Sequence, residues 1–229
     1  MTKYAFENGF PKGYGHTSVS YLKQCTGYEE AKNGNLTAAK SVVLRCIKWK
    51  QVKLIQKRYP YALLIPVISK NILPLTFAKH IGLPVYTEVK LAYPKERKKS
   101  SAMERLLTMP LFHGHIPPFT DFIIVDDIVT QGGTVAALRN YIISQGSCVI
   151  AVIALAYSAG SFNIAPKQEN AFELMDKFGC GLLLVLHIFG IVNDFHELTN
   201  SQMVYLLRFK HLKNILAHIE KSQKANKTN

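Results

Sequence analysis

Short apolar runs alternate with amphipathic segments through the middle of the chain. Three runs are apolar almost throughout, namely ALLIPVI, DFIIV and CVIAVIALAY. Such continuous runs are typical of strands whose two faces are both covered by helices. The segments ILPLTFAKHI and TVAALRNYIISQ carry apolar residues at helical spacing and stop at Gly82 and Gly146. This order predicts βαβ units, and therefore an α/β fold with a Rossmann-like parallel sheet flanked by helices.

The two ends of the chain follow a different pattern. Residues 1–34 are rich in turn-forming and aromatic residues, which predicts an irregular arm. Beyond residue 160 the pattern becomes helical, and Thr199 is the expected N-cap of a helix. No internal repeat or long linker divides the sequence. We therefore expect a single domain over residues 1–229, with a core at about 36–160.

The chain is strongly basic, with a formal net charge of +13 and a pI near 9.6. An excess of positive charge favours polyanionic partners: nucleic acid, a phosphorylated metabolite or an anionic membrane surface. Part of the charge lies in the lysine-rich stretch KSQKANKTN, and part in PKERKKSS at residues 94–101. The second stretch lies inside the predicted domain and needs an explanation of its own.

Cysteine usage and hydropathy bear on the compartment. The four cysteines are widely scattered without metal-ligand spacing, which is typical of small buried side chains in a reducing compartment. Residues 1–18 contain no uninterrupted apolar segment of the kind that a signal peptide needs. The most apolar run, residues 181–192, is too short to span a bilayer and predicts a buried helix. We expect a cytoplasmic protein without a membrane partner.

The apolar strand that begins at Phe122 ends on Asp126 and Asp127, and the loop TQGGT follows. Backbone amides, two hydroxyls and the N-terminus of the next helix favour a phosphate at this loop, and the glycines allow close approach. Carboxylates only accept hydrogen bonds, which suits the two donors of a sugar diol. Together these groups describe a site for a ribose 5-phosphate. The alternative is that the aspartates merely cap the next helix.

The segment Ile123 to Thr134 closely resembles the phosphoribosyl pyrophosphate (PRPP) signature of type I phosphoribosyltransferases. The chain as a whole resembles an uncharacterised bacterial branch of that family. The resemblance implies the type I phosphoribosyltransferase fold, with a base-reading hood built from residues 1–35 and 160–229. It also implies that Asp126 and Asp127 hold the ribose hydroxyls. The 5-phosphate would be held by the loop residues Thr130, Gln131, Gly132, Gly133 and Thr134.

The same resemblance implies roles for two further loops. The loop after the first core strand contains Ser69 and Lys70, which would bind pyrophosphate, although a solvated lysine fits Lys70 equally well. The basic stretch at 94–101 stands where the family has a mobile catalytic loop, although a charge run is commonly a solvated face. Its candidate pyrophosphate contacts are Lys95, Arg97, Lys98 and Lys99. Mg²⁺ would lie between pyrophosphate and ribose oxygens, held by Asp126 or Asp127.

The function implied is transfer of the phosphoribosyl group of PRPP to a nitrogenous base, with release of pyrophosphate. Thr130 stands where enzymes for 6-oxopurines carry an aspartate, which argues against hypoxanthine or guanine and leaves adenine-, orotate- and ComF-like patterns open. Four aromatic residues could stack on a base or belong to the core: Phe162, Phe189, Phe195 and Tyr205. His187 and His196 are equally ambiguous, and neither is assigned a role.

A second reading is a PRPP-sensing regulator that binds nucleic acid, or a ComF-like protein of DNA uptake, on the same fold. The net charge supports nucleic acid as a partner, whereas the CxxC pairs of ComF-like chains are missing. No GxGxxG follows a predicted strand, and the TQGGT loop lacks the lysine and spacing of a P-loop. A dinucleotide dehydrogenase and an NTPase are therefore disfavoured. Many family members dimerise, so a homodimer is one option, although nothing in the sequence identifies an interface.

Overall fold

The structure is a computed structural model that describes residues 12–92, 102–107, 110–158 and 166–227. The strands are β1 (Lys12–Ser18), β2 (Leu63–Pro66), β3 (Lys90–Leu91), β4 (Phe112–His113), β5 (Asp121–Val129) and β6 (Cys148–Tyr157). The first seven helices are α1 (Val19–Gln24), α2 (Tyr28–Lys32), α3 (Leu36–Cys46), α4 (Trp49–Arg58), α5 (Leu73–Ile81), α6 (Ala102–Leu107) and α7 (Gly133–Ser144). After β6 come α8 (Gln168–Ile188), a 3₁₀-helix (Phe195–Glu197), α9 (Asn200–Leu207) and α10 (Leu212–Lys227).

A parallel sheet with the strand order β1-β6-β5-β2 forms the centre of the molecule. Each neighbouring pair in it is parallel, and a parallel bridge from Leu64 to Val85 extends it beyond β2. Strands β3 and β4 form a separate antiparallel pair. Parallel neighbours require crossover connections, and helices between the strands provide them. The predicted α/β class, a parallel sheet flanked by helices, is confirmed.

Residues 12–18 correct the prediction of an irregular arm, because they form the edge strand β1. Tyr14 pairs with Ile153 and Thr17 with Ala156, in parallel register with β6. The sequence KGYGHTS lacks the apolar alternation of a strand because two of its residues are glycines. Packing explains the glycine at position 13, since a Cβ there would lie 3.0 Å from the hydroxyl oxygen of Tyr157.

The two faces of the sheet bury separate apolar clusters. Ile123 and Val125 of β5 belong to the cluster that α3 and α5 complete. Phe122 and Ile124 belong to the cluster that α7 completes. Successive residues of a strand point to opposite faces, so this division follows from the alternation along β5. It explains why the strand is apolar throughout rather than at every second residue.

A third apolar cluster joins α6 to the helices that follow β6. Met103 and Leu106 of α6 are buried with Leu186, Leu206 and Ile215. We call α6 together with α8, α9, α10 and the 3₁₀-helix the C-terminal layer, although α6 precedes β5 in the chain. The helix α8 bends within this layer at Gly179, whose φ is +61°. Among the described residues, no helix combines the length and the hydropathy needed to cross a membrane.

Candidate functional site

A cavity of about 590 Å³ opens where β5 ends and α7 begins. Its wall combines the loop after β5, the loop after β2, the end of α2 and two side chains of the C-terminal layer. In a doubly wound sheet, ligands bind at this edge, beyond the carboxyl ends of the strands. The predicted site residues that line the cavity are Ser69, Lys70, Asp126, Thr130, Gln131, Gly132, Gly133 and Thr134.

The loop between β5 and α7 presents the N-terminus of a helix to this cavity. Gly132 occupies the N-cap position with a φ of +74°, a left-handed conformation that favours glycine. Its carbonyl oxygen accepts from the N–H of Ala136 at 2.8 Å, which closes the first helical turn. Among the described residues, no side chain caps this end of α7. The amides of the first turn therefore face the cavity as donors for an anion.

Asp126 is a buried carboxylate at the floor of this site. Only 8% of the residue is exposed, and Oδ1 accepts from the N–H of Asp127 at 2.8 Å. Burial raises the pKa of Asp126 well above its usual value, and the charge of Asp127 raises the pKa further. Lys32 opposes this effect from the end of α2. A cation bound beside Asp126 would stabilise its charged form in the same way.

Asp127 occupies a different environment from its neighbour. It is equally buried, at 9% exposure, but does not line the cavity. It also lies near Tyr28 of α2, where burial first and the Asp127 charge second raise the pKa of the phenol. The Tyr28 hydroxyl is buried on the side of this carboxylate. The structure thus brings Asp126 to the predicted phosphate loop and places Asp127 beside α2.

The loop after β2 holds its shape through its own side chains. The Oγ atom of Ser69 accepts from the N–H of Asn71 at 3.1 Å. The Oδ1 atom of Asn71 accepts from the N–H of Leu73 at 3.1 Å, at the first residue of α5. Lys70 is exposed between them and lines the cavity. The predicted anion contact therefore lines the same cavity as Asp126.

The sequence did not indicate four polar residues that line the cavity: Lys32, Asn33, Arg105 and Gln202. They come from α2, α6 and α9, which are far apart in sequence. The Arg105 Nε atom is buried and has no hydrogen-bond partner in the described ranges. No short motif could have pointed to these residues, because only the packing of α2 and the C-terminal layer brings them to β5.

Thr199 connects the C-terminal layer to the loop after β5. Its Oγ1 donates to the carbonyl oxygen of Gln131 at 2.7 Å. The same Oγ1 accepts from the N–H of Gln202 at 3.1 Å, while Gln202 Oε1 accepts from the Thr199 N–H at 2.7 Å. This reciprocal capping box confirms Thr199 as the N-cap of α9. The start of α9 is thereby joined to the phosphate loop.

The aromatic and histidine candidates of the C-terminal segment lie away from the cavity. Phe195 is buried in the apolar cluster of the C-terminal layer, with Phe189 and Tyr205 packed against it. His187 Nδ1 lies 2.9 Å from Asn193 Oδ1, and His196 Nδ1 lies 2.7 Å from Asp194 Oδ1. None of these side chains lines the cavity. The remaining candidates fall outside the described residues: Lys95, Arg97, Lys98, Lys99 and Phe162.

Comparison with curated proteins finds relatives that are longer than this chain. Protein TraN of Escherichia coli is 28% identical over 181 residues, which cover 74% of this chain and 40% of TraN. An uncharacterized protein of Haemophilus influenzae is 33% identical over 131 residues, 52% of this chain and 29% of that protein. The chain therefore spans less than half the length of these relatives. No family model matches the sequence.

Among solved structures, phosphoribosyltransferases and a UMP synthase are similar to between half and three quarters of the chain. An adenine phosphoribosyltransferase of Saccharomyces cerevisiae is 20% identical, with a TM-score of 0.35 over 54% of this chain and 70% of that one. A hypoxanthine phosphoribosyltransferase of Staphylococcus aureus is 12% identical, with a TM-score of 0.37 over 52% of this chain and 65% of that one. Scores of this size assign no activity to the chain.

Proposed function

We propose that the cavity binds PRPP and that the chain is a phosphoribosyltransferase. The observation that carries the proposal is that Asp126, the loop 130–134 and Lys70 line one cavity. A buried carboxylate beside uncapped helix amides and a lysine offers acceptors for a ribose diol and donors for phosphates. The resemblance of residues 123–134 to the PRPP signature favours PRPP, a ligand that carries both a ribose diol and phosphates.

The residues fit Mg²⁺ held mainly by its substrate. The described ranges contain no cluster of three or more histidine, cysteine, aspartate or glutamate side chains that could hold a metal alone. Mg²⁺ keeps several waters and is commonly bound by one or two carboxylates together with substrate phosphates. Asp126 is the carboxylate at the cavity, and a nearby cation would favour its charged form against the burial that raises its pKa. Bound Mg²⁺ would supply charge neutralisation of the pyrophosphate.

The reaction breaks the bond between the anomeric carbon and a pyrophosphate oxygen, which leaves with the electron pair. A bond forms between that carbon and a nitrogen of the base, and the proton that this nitrogen carried passes to the departing pyrophosphate or to water. Asp126 would accept hydrogen bonds from ribose hydroxyls, the amides of the loop 130–134 would hold the 5-phosphate, and Lys70 would stabilise the departing pyrophosphate. We propose that Asp127 shapes this site from the α2 side without contacting the ligand, because its side chain does not line the cavity.

The acceptor proposed is a nitrogenous base other than hypoxanthine or guanine. Thr130 lines the cavity at the position where 6-oxopurine enzymes carry an aspartate. A threonine hydroxyl can donate and accept, but it cannot carry the charge that assists proton movement at the base. Arg105 of the C-terminal layer supplies a further hydrogen-bond donor for an acceptor or for pyrophosphate.

Calorimetric titration with PRPP, with and without Mg²⁺, tests the proposal. We expect Mg²⁺-dependent binding to the wild type, and a loss of tenfold or more in Asp126→Asn, because hydrogen bonds to charged groups contribute about 1.5–3 kcal/mol. Asp127→Asn should weaken binding less. Lys70→Gln should weaken binding of pyrophosphate, whereas Lys79→Gln is the matched control, since Lys79 is exposed on α5 and does not line the cavity.

The outcomes separate an enzyme from a sensor. Binding of PRPP followed by pyrophosphate release with one base in a panel would support the transferase. Binding of PRPP without release in the presence of any base would favour the PRPP-sensing regulator. A folded wild type that fails to bind PRPP with Mg²⁺ would refute both.

A further inference from the structure

The helix α4 carries a stripe of lysines on its solvent face. Lys50, Lys53 and Lys57 are all exposed and stand three and four positions apart, so they lie on one side of the helix. Lys48 precedes the helix, and Arg58 is its last residue. None of these five side chains forms an ion pair with an acidic group among the residues that the structure describes. The stripe is therefore uncompensated positive charge.

The sequence around α4 contributes no negative charge. Residues 31–87 contain ten Lys and Arg residues but no Asp or Glu. The whole chain has 15 acidic residues, so their absence from 57 consecutive positions concentrates the field there. Exposed like charges repel one another, and a bound polyanion removes that repulsion. A chain that needed only solubility would gain as much from mixed charges.

Aromatic side chains stand at both ends of the same stripe. Trp49 at the start of α4 is 50% exposed, and Tyr61, which follows the helix, is 93% exposed. Large exposed rings beside lysines are the combination with which proteins bind single-stranded nucleic acid, because the rings stack on bases while the lysines contact phosphates. Neither ring is part of a described core cluster.

The burial of α4 argues against an anionic membrane as the partner. A helix that lies on a bilayer inserts an apolar face among the lipids. The apolar face of α4 is already occupied, since Val52 and Ile55 are buried in the core cluster with α3 and α5. Beside the lysines and the flanking rings, Leu54 is exposed at 51%, and one aliphatic side chain does not form the apolar face that insertion needs.

We propose that the lysine stripe of α4, with Trp49 and Tyr61, binds single-stranded nucleic acid. The site is separate from the proposed PRPP site, because no residue of α4 lines the cavity. It therefore goes beyond the proposed function, and its test needs no PRPP. Contacts to the sugar-phosphate backbone and to base faces predict weak sequence preference and strong salt dependence.

Trp49 is the chain's single tryptophan, so its fluorescence reports on the surface directly. The wild type is titrated with an oligothymidylate of about 16 nucleotides at several salt concentrations. We expect quenching of Trp49 and an affinity that falls steeply with salt. In Lys50→Gln/Lys53→Gln/Lys57→Gln, loss of three phosphate contacts should make the slope of log K against log salt shallower by about 2. Tyr61→Ala should lower affinity about fivefold or more without changing that slope.

The control Lys167→Gln/Lys210→Gln/Lys213→Gln removes the same charge from exposed positions outside α4. It should retain the wild-type salt slope, and circular dichroism should report the same fold for all variants. Equal weakening by the two triple variants would overturn the proposal, since only net charge would then act. Tighter binding to duplex DNA of the same length would overturn it, as would a Trp49 response to phosphatidylserine vesicles without one to the oligonucleotide.

Discussion

The hydroxyl of Thr199 donates a hydrogen bond to the carbonyl oxygen of Gln131 at 2.7 Å, across 68 positions of sequence. The donor caps α9 in the C-terminal layer, and the acceptor belongs to the loop that presents the N-terminus of α7. One hydroxyl therefore stabilises a helix and positions a loop at the cavity. Binding at the loop is thereby linked to the packing of the C-terminal layer.

Replacing Thr199 should affect both properties. Thr199→Ala removes the cap and the bond to Gln131, so we expect a loss of about 1–2 kcal/mol in the free energy of unfolding. We also expect weaker PRPP binding, because the loop loses its anchor. Thr199→Ser keeps the hydroxyl and should restore both. Urea denaturation and PRPP calorimetry on the same preparations measure the two effects.

The matched control is Asn35→Ala, which removes the N-cap of α3 at a residue that does not itself line the cavity. It should lower stability by about 1 kcal/mol and leave PRPP affinity unchanged. If Thr199→Ala also left the affinity unchanged, the bond to Gln131 would be only structural.

Arg105 should be an oxyanion contact of the cavity. Its Nε is buried without a hydrogen-bond partner in the described ranges, and a guanidinium can bind two oxygens in parallel. We expect Arg105→Gln to weaken binding of the ligand that carries this anion by about tenfold or more. Arg105→Lys should restore only part of the affinity, because an ammonium lacks the planar fork.

Separate calorimetric titrations identify which anion Arg105 contacts. Weaker binding of pyrophosphate with unchanged binding of ribose 5-phosphate would place Arg105 at the leaving group. Unchanged affinity for pyrophosphate, ribose 5-phosphate and PRPP would contradict an oxyanion role in PRPP binding. Arg45→Gln is the control, since Arg45 is exposed on α3 and does not line the cavity.

Local sequence signals predict the elements that the core dictates. The helix α5 ends at Ile81 because Gly82 adopts a φ of +78°, and the apolar runs at β5 and β6 are buried on both faces. The loop residues 130–134 line the cavity because a strand end, glycine and a helix N-terminus follow one another in sequence. Each of these signals lies within about a dozen consecutive residues, so the element that it specifies can be predicted from local sequence.

Features that depend on distant packing could not be predicted in the same way. The strand β1 is recognisable only beside β6, because Gly13 has no side chain and leaves space for Tyr157. The run at 181–192 reads as a buried helix, yet Leu184 and Ile188 are exposed at 59% and 68%. Its apolar composition gives no indication of which side faces the core. Arg105 reaches the cavity only because α6 packs in the C-terminal layer.

The four cysteines should divide into two reactivity classes. Cys148 and Cys180 are exposed, whereas Cys25 and Cys46 are buried with their Sγ atoms 3.7 Å apart. Burial, followed by the contact with Cys25, raises the pKa of Cys46 to about 12. The thiolate is the reactive species, so this pair should resist modification.

Labelling with Ellman's reagent should therefore modify two thiols rapidly in the native protein and the other two only after unfolding. Cys148→Ser/Cys180→Ser should show no rapid phase in the native state. Rapid labelling of this double variant would show that the pair is accessible and would contradict its burial.

The buried imidazole of His16 should make stability depend on pH. His16 is fully buried, its Nδ1 accepts from the Lys48 N–H at 2.8 Å, and its ring packs edge-on against Phe77. Burial, with a smaller effect from the Lys48 charge, lowers the pKa of His16 from 6.5 to about 4. His16 therefore binds a proton below pH 6.5 in the unfolded chain, but only near pH 4 in the folded chain. The stability contributed by His16 is present above pH 6.5 and is lost as the pH falls towards 4.

The expected loss over this window is about 3 kcal/mol in the free energy of unfolding. The raised pKa of Asp126 acts in the opposite direction, because the folded carboxyl group takes up its proton before the unfolded one. Urea denaturation between pH 7.5 and 4.5 should therefore compare the wild type with His16→Asn, whose Oδ1 can still accept from Lys48. The fall in stability should be about 3 kcal/mol smaller in His16→Asn, and His113→Asn, at an exposed position, should behave as the wild type. Parallel curves for the wild type and His16→Asn would mean that the buried ring is protonated as readily as an exposed one.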